Sequence, residues 1–192
     1  MNERALALKN ATVPLVLSSA LAVLLLGAAG GRLGKKEILD RPPIIVLSET
    51  QGFSFPVGSA KLPEQFSEAL NSMIVPRIKA ISTEYDCDVI EVVGHTDGQR
   101  VQAISNLDSK LMSAIGEGLA DLTPGSNADL GLMRAWAVAR VLLSREELKG
   151  MRIAAYSAGQ MIRTDGSYAS PGNYTDEPER RRIEIRVRRA PR

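Results

Sequence analysis

The stretch SNADLGLMRAWAVARVLL, residues 126–143, contains the clearest helix signal in the sequence. Ser126 and Asp129 are spaced as in a capping box, in which a serine hydroxyl and an acidic side chain satisfy free amide groups at the start of a helix. At about 100° per residue, five apolar side chains then fall on one arc: Leu130, Met133, Ala137, Val138 and Val141. This pattern predicts an amphipathic helix with one face buried.

Segments typical of strands and helices lie on both sides of this helix. Strand-like patterns occupy residues 52–60, 88–94, 152–156 and 182–189. Helical spacing of apolar residues predicts a helix over Leu62–Ser82, in which Pro76 must introduce a kink or begin a second helix. A longer excursion, 99–125, includes a short helical pattern at Leu107–Leu119. This order predicts an α+β sandwich of βαβαββ arrangement, with the helices packed on one face of the sheet.

Length and composition limit the classes of protein to consider. With 192 residues, 44% of them hydrophobic and 24% charged, the chain can form one domain with extra sequence or two very small domains. This composition excludes wholesale disorder and a membrane protein of many helices. A single cysteine excludes an internal disulfide, and one cysteine with one histidine excludes a Cys/His zinc site. We expect neither a metal nor a cofactor.

The net charge of +2 conceals an uneven distribution. Residues 1–31 carry a net +1 and residues 180–192 a net +6, which leaves −5 for the residues between them. In the basic segment Ile183, Ile185 and Val187 alternate with charged residues, which predicts a strand with one buried and one wet face. We therefore expect no nucleic-acid binding from these arginines.

Residues 10–31 contain no charged side chain. About 20 such residues are needed for a helix to cross the hydrocarbon core of a bilayer, so the sequence predicts a short tail at 1–10 and one transmembrane anchor at 11–31. A cleaved signal peptide is the alternative, because small residues near the end of the segment offer a cleavage site. Residues 32–50 are predicted to be a linker, with a short strand at Ile44–Leu47 as an option.

The residues that flank this segment do not decide its orientation in the membrane. Lysines and arginines lie on both sides, and more of them follow the segment than precede it. A count of these charges favours a cytoplasmic C-terminal side. A short N-terminal tail before an export-type segment favours the opposite.

Arg134 is anomalous because it falls within the apolar arc of its own helix. A guanidinium there must reach solvent or meet an acidic partner, since an unpaired buried charge is prohibitively costly. Asp97, in the turn after the strand 88–94, is the partner that the pattern suggests. The structural interpretation is an Asp97–Arg134 salt bridge. The functional interpretation is a zwitterion site, in which Asp97 holds an ammonium and Arg134 grips a carboxylate.

Four motifs in register extend this observation: VVGHTD (92–97), SNADLGLMRA (126–135), YSAGQ (156–160) and RRIEI (181–185). They resemble the peptidoglycan-binding domain shared by OmpA C-termini, Pal lipoproteins and MotB-type stator proteins. Residues Phe53–Leu62 resemble the first strand and turn of that family. The resemblance covers about residues 50–190 and implies an OmpA-like domain at 51–192.

The resemblance also implies a ligand and a set of residues that bind it. In the family, the acid of the Thr-Asp pair and the arginine of the Arg-Ala pair bind the diaminopimelate side chain of the stem peptide. These positions match Asp97 and Arg134, while Asn127 and Leu130 are implied to line the same pocket. Thr96 is implied to donate a hydrogen bond from its backbone or its hydroxyl.

The function that the resemblance implies is non-covalent binding of peptidoglycan by a periplasmic domain. The chain would be a single-pass protein of the inner membrane that tethers a membrane complex to the wall, with a homodimer as the expected state. The alternative is a MotB-like stator subunit that works with a multi-span MotA-like protein. Stators of that type carry an acidic residue in the membrane helix, and residues 10–31 contain none.

Some features depart from the family pattern or have ordinary interpretations. The excursion 99–125 is longer than the usual connection, and Arg180 stands where the family often has asparagine. We expect His95 and Trp136 to be packing residues and Cys87 to be semi-buried. With no Cys/His dyad and no paired acids, we expect no catalytic residues and no enzyme activity.

Overall fold

The computed structural model describes residues 41–117 and 121–191, and within 115–117 it describes the backbone alone. The tail predicted at 1–10, the anchor predicted at 11–31 and residues 32–40 lie outside the described residues. Among those that are described, no helix combines the length and the apolar character needed to cross a membrane.

Four strands form one sheet in the described part of the chain: β1 (Ile45–Ser48), β2 (Val89–His95), β3 (Arg152–Gly159) and β4 (Arg182–Arg188). Their order across the sheet is β1-β4-β2-β3. The two pairs that include β4 are antiparallel, and β2 runs parallel to β3. The last strand in the sequence therefore occupies an interior position between β1 and β2.

Four α-helices complete the described domain: α1 (Glu64–Ala69), α2 (Val75–Tyr85), α3 (Leu107–Glu117) and α4 (Asn127–Leu143). The predicted α+β class and the βαβαββ order are confirmed, with α3 as an added helix. The helix predicted over Leu62–Ser82 is interrupted by a π-helical turn at Leu70–Ile74. Pro76 lies in the first turn of α2, directly after the π-helical turn, and has no amide hydrogen to donate to that turn.

The first strand lies earlier in the sequence than predicted. Phe53 and Phe55 belong to an irregular segment, and their rings lie 5.1 and 5.3 Å from that of Phe66 on α1. The strand predicted at residues 52–60 is therefore wrong. The sheet instead uses β1, which lies within the segment predicted as a linker and confirms the short strand offered there as an option at Ile44–Leu47. The compact unit that contains it begins at Pro42.

The main core lies between the helices and one face of the sheet. Apolar side chains from all four strands contribute to that face or its edge, and α1, α2 and α4 cover it. The inward-facing, fully buried side chains are Ile45, Leu47, Ile90, Val92, Ile183, Ile185 and Val187 from the sheet, with Leu70, Ile78, Val138 and Leu142 from the helices.

Helix α4 begins where the capping pattern predicts and packs closely on β2 and β3. The hydroxyl of Ser126 accepts a 3.1 Å hydrogen bond from the amide of Asp129, whose carboxylate accepts one of 2.8 Å from Gly125. A Cβ on Gly94 would lie 1.9 Å from the carbonyl oxygen of Gly131. These two glycines therefore let the first half of α4 lie directly on the end of β2.

A second apolar cluster lies on the other side of α4. Met133 packs there with Ala60 and with residues of the excursion 99–125, including Leu107 and Leu122. Helix α4 is thus buried on two sides, which is why its buried residues extend beyond the single predicted arc. The excursion forms a layer against α4.

The outer face of the sheet is less exposed than predicted. Arg182 and Glu184 are only 6% and 8% exposed, because the loop after β3 covers this end of β4. Arg182 donates to the carbonyl oxygen of Arg163 in that loop and to Glu184, at 3.3 and 2.9 Å. Burial acts to raise the pKa of Glu184, but its contacts with His95, Arg186 and Arg182 hold that pKa well below its usual range.

Candidate ligand-binding site

The five residues singled out from the sequence line a single pocket of about 380 Å³. Thr96 and Asp97 follow directly after β2. Asn127, Leu130 and Arg134 lie on α4 at intervals of three and four residues, so they share one face of the helix. The close approach of Gly94 and Gly131 brings this face beside the turn that carries Asp97.

Arg134 is a buried cation without an acidic partner. It is 4% exposed, and no carboxylate of the described residues lies within 4.0 Å of its guanidinium. Its Nε and Nη2 atoms donate to the carbonyl oxygens of Ser59 and Pro56 at 2.9 and 3.3 Å, and its Cζ lies 5.1 Å from the ring centroid of Phe55. Burial lowers the pKa of Arg134 to about 10, so it stays charged at neutral pH.

The structural interpretation, an Asp97–Arg134 salt bridge, is wrong, since no such bridge is formed among the described residues. Asp97 instead pairs with Arg181, which precedes β4. Its Oδ1 also accepts a hydrogen bond from the amide of Gln99 at 3.2 Å, and its Oδ2 one from the amide of Glu177 at 3.4 Å. Because an ionised carboxylate has about four lone-pair positions, three donors leave room for one more.

Arg181 organises the acidic side of the pocket. Besides Asp97 it binds Glu49 through two nitrogens, one of them at 3.0 Å, and it also pairs with Asp176. These bonds, with Glu49 the strongest contributor, raise the pKa of Arg181. In the sequence Arg181 stands out only as part of the motif 181–185, and this role was not predicted.

The charges around the pocket balance. Three carboxylates, Glu49, Asp97 and Asp176, and three guanidiniums, Arg100, Arg134 and Arg181, line it. Arg181 is saturated by the acids, whereas no ion pair to Arg134 or Arg100 is formed within the described residues. The pocket therefore has room for the carboxylate of a ligand beside two guanidiniums that form no ion pair among the described residues.

The three remaining predicted residues have distinct positions. The amide of Thr96 donates to the carbonyl oxygen of Gly159 at 2.8 Å, and its hydroxyl donates to that of Asp97 at 3.1 Å. Thr96 thus holds the turn after β2, and both of its donors are already engaged. Asn127 donates through Nδ2 to the carbonyl oxygen of Gln99 at 2.8 Å. Leu130 supplies an apolar part of the wall.

A second pocket of about 290 Å³, which we call the loop pocket, adjoins the first. The segment 160–174 after β3 supplies most of its lining, and Arg100 and Asn127 line both pockets. Arg180 is buried beneath it, paired with Glu177 and bonded to the carbonyl oxygen of Gln160. The residue that departs from the family pattern therefore anchors this loop.

The other residues considered from the sequence, His95, Cys87 and Trp136, do not line either of these two pockets. His95 is 1% exposed, and its Nε2 lies 3.3 Å from the carboxylate of Glu184. Cys87 is half-buried, which raises its pKa, and Trp136 is partly buried against the main core. Over residues 41–117 and 121–191 no cluster of three or more His, Cys, Asp or Glu side chains is arranged to hold a metal ion.

Several solved structures are similar to this chain. The periplasmic domain of Helicobacter pylori MotB is 16% identical, with a TM-score of 0.48 over 80% of each chain. A putative MotB-like protein from Desulfovibrio vulgaris is 16% identical, with a TM-score of 0.47 over 77% of this chain and 75% of that one. The OmpA-like domain of FopA1 from Francisella tularensis is 15% identical, with a TM-score of 0.35 over 77% and 75%.

These structures carry the names of families that the sequence motifs resemble. Their identities are below 25% and their TM-scores below 0.5, which is too low to assign an activity to this chain from their names. No protein-family model matches the sequence, and no curated protein matches it either.

Proposed function

We propose that this domain binds peptidoglycan non-covalently through the diaminopimelate residue of the stem peptide. The observation that carries the proposal is the buried guanidinium of Arg134, which lines the pocket. No carboxylate of the described residues lies within ion-pair distance of it. Leaving such a charge uncompensated costs several kcal/mol, roughly, unless a ligand supplies the counter-charge. A carboxylate is the group whose geometry matches the guanidinium fork.

The free end of diaminopimelate carries an ammonium and a carboxylate on one carbon atom. Arg134 would bind the carboxylate, and the remaining lone-pair position of Asp97 would accept a hydrogen bond from the ammonium. Arg181 would fix Asp97 in place rather than contact the ligand. Leu130 and Phe55 would contact the methylene groups of the side chain.

The proposed activity is binding without cleavage. His95, the single histidine of the sequence, is buried against Glu184 and is not free to act as a base toward a ligand in the pocket. The pocket's acids, Glu49, Asp97 and Asp176, are all engaged with Arg181.

Sedimentation with purified sacculi tests the proposal. The full chain, solubilised in detergent, is expected to co-sediment with diaminopimelate-type sacculi but not with lysine-type sacculi, because lysine lacks the carboxylate that Arg134 would bind. Asp97→Asn and Arg134→Gln should each lose this binding. Asp108→Asn and Arg77→Gln, at exposed positions on α3 and α2, are the matched controls and should keep it. Equal sedimentation of the wild type with both types of sacculi would rule out the zwitterion site.

We also propose that residues 11–31 anchor the chain in the inner membrane, so that the domain tethers a membrane complex to the wall from the periplasm. The uncharged run at 10–31 supports this placement. Alkaline extraction of membranes should leave the full chain in the pellet and release a chain that lacks residues 1–31. Co-purification of a multi-span membrane protein with the full chain would favour the MotB-like alternative, and cross-linking would reveal a homodimer.

A further inference from the structure

Arg100 occupies the boundary between the two pockets with its guanidinium exposed. Its Cζ lies 3.9 Å from the ring centroid of Tyr174, which is a cation–π contact. No hydrogen bond or ion pair joins its side chain to another residue within 41–117 or 121–191. Stacking on Tyr174 fixes the plane of the guanidinium and leaves the N–H groups at its edge free.

Asn127 lies at the same boundary and offers a free acceptor. The residue is 7% exposed, and its Nδ2 is engaged with the carbonyl oxygen of Gln99. Its Oδ1 has no hydrogen-bond partner among the described residues, although the side chain lines both pockets. This oxygen is open to the pockets, so an N–H group of a bound ligand would find an acceptor there.

The position of the loop pocket is fixed by close packing. A Cβ on Gly98 would lie 2.0 Å from the carbonyl oxygen of Asn173, so the turn after β2 and the loop that carries Tyr174 are in direct backbone contact. Glu177, the acid beside Arg180, is already paired with that arginine. No ion pair to Arg100 is formed within the described residues.

The unpaired groups of the two pockets do not match a simple zwitterion. Two guanidiniums, those of Arg100 and Arg134, form no ion pair among the described residues. Asp97, by contrast, has room for only one more hydrogen-bond donor. A zwitterion would satisfy one guanidinium and Asp97, and would leave the other guanidinium without a partner. The complementary ligand carries two carboxylates and one ammonium, with an amide N–H between the two ends.

We propose that Arg100 binds a second carboxylate of the same peptide, on the residue next to the zwitterionic one, while Asn127 accepts a hydrogen bond from the peptide N–H that joins them. In stem peptides with γ-linked D-glutamate, this group is the free α-carboxylate of that glutamate. The inference rests on the proposed function and adds a preference: the domain distinguishes the glutamate form from the amidated isoglutamine form.

Calorimetric titration of the full chain in detergent tests this preference. The two probes are N-acetyl-L-alanyl-γ-D-glutamyl-meso-diaminopimelate, with the carboxylate at the L-centre of diaminopimelate amidated, and the same peptide with the glutamate α-carboxylate amidated as well. The wild type is expected to bind the first peptide about tenfold more tightly, the effect of one charge-assisted hydrogen bond. Arg100→Gln should bind both peptides with the affinity that the wild type shows for the amide. Arg77→Gln should retain the tenfold preference.

Two variants of Tyr174 separate recognition from general damage to the loop. Tyr174→Phe keeps the ring beneath Arg100 and should keep the preference, whereas Tyr174→Leu removes the ring and should reduce it at least about threefold. Equal binding of both peptides by the wild type would overturn this inference and leave the proposed function standing. Failure of the wild type to bind either peptide would overturn the proposed function itself.

Discussion

Carbonyl oxygens, rather than carboxylates, hold the buried charge of Arg134. Its bonds to Ser59 and Pro56 and the ring of Phe55 orient the guanidinium but supply no opposite charge. Desolvation of an ion costs several kcal/mol, roughly, and dipoles recover part of that cost. At the residue scale, Arg134 is thus a buried charge that no described carboxylate neutralises.

Replacing Arg134 separates binding from stability. Arg134→Met fills the same space without a charge, so the free energy of unfolding should stay within about 1 kcal/mol of the wild-type value or rise. Binding to diaminopimelate-type sacculi should be lost. Urea unfolding and sedimentation measure the two effects. A loss of more than about 2 kcal/mol would instead identify Arg134 as a structural clamp between α4 and the segment 56–59.

Glu184, unlike Arg134, is a buried charge with ion-pair partners. His95, Arg182 and Arg186 all lie against its carboxylate. Glu184→Gln should lower the free energy of unfolding by about 3 kcal/mol at pH 7, since Arg182 loses its partner. The folded-state pKa of Glu184 lies below its usual range, so its stabilisation is complete above the unfolded-state pKa and is lost as the pH falls through the folded-state value.

Unfolding curves measured at several pH values test this linkage. As the pH falls from about 4.5 to 3, the difference between wild type and Glu184→Gln should narrow. A difference that stays constant down to pH 3 would contradict the assigned pKa direction.

The sequence identified Arg134 and Asp97 because each broke a local pattern, one in an apolar arc and one in a turn after a strand. Their partners could not be found in the same way. Arg181 follows Asp97 by 84 positions and Glu49 by 132, and only the antiparallel pairings of β4 bring it beside them. Local periodicity carries no information about such distant pairs.

At the scale of elements, the contact between α4 and β2 decides where the site forms. Gly94 and Gly131 permit it, and both lie within a few residues of the site. The capping pattern predicted where α4 begins, because Ser126 acts through its immediate neighbours. The first strand was misplaced because Phe53 and Phe55 alternate with polar residues yet serve a small aromatic cluster around Phe66.

Gly94→Ala tests the close approach directly. The added Cβ would lie 1.9 Å from a backbone oxygen of α4, which cannot move without displacing the helix. We expect a loss of about 3 kcal/mol or more in the free energy of unfolding. Gly52→Ala is the control: its φ of 89° costs about 1 kcal/mol, but nothing lies within 4 Å of the new Cβ. Similar losses in the two variants would show that the contact is not tight.

At the scale of the whole molecule, the extent of the domain is set by β1. Its pairing with β4 buries Ile45 and Leu47 in the main core, each 1% exposed. The sequence placed the boundary near residue 51 because the strand has four residues and follows two prolines. Such a short segment let the sequence offer a strand at Ile44–Leu47 as an option, but it had too few residues to show that the strand joins the sheet.

Two neighbouring substitutions in the full chain test this boundary. Leu47→Ala should lower the free energy of unfolding by about 2–5 kcal/mol, as expected for a core leucine. Val46→Ala changes a side chain that is 43% exposed and should cost less than about 1 kcal/mol. Urea unfolding measures both. Equal and small losses in the two variants would show that residues 45–48 are part of a linker and not of the folded domain.

The interior position of β4 has a consequence for biosynthesis. While the ribosome is still adding residues before Arg182, β1 has no strand to pair with, and Asp97 has not yet met Arg181. The sheet can close only after residues 182–188 have emerged, so the pairings of β4 with β1 and β2 form late. Until then the edge of β2 that β4 will occupy has no antiparallel partner, and the nascent sheet keeps that edge open.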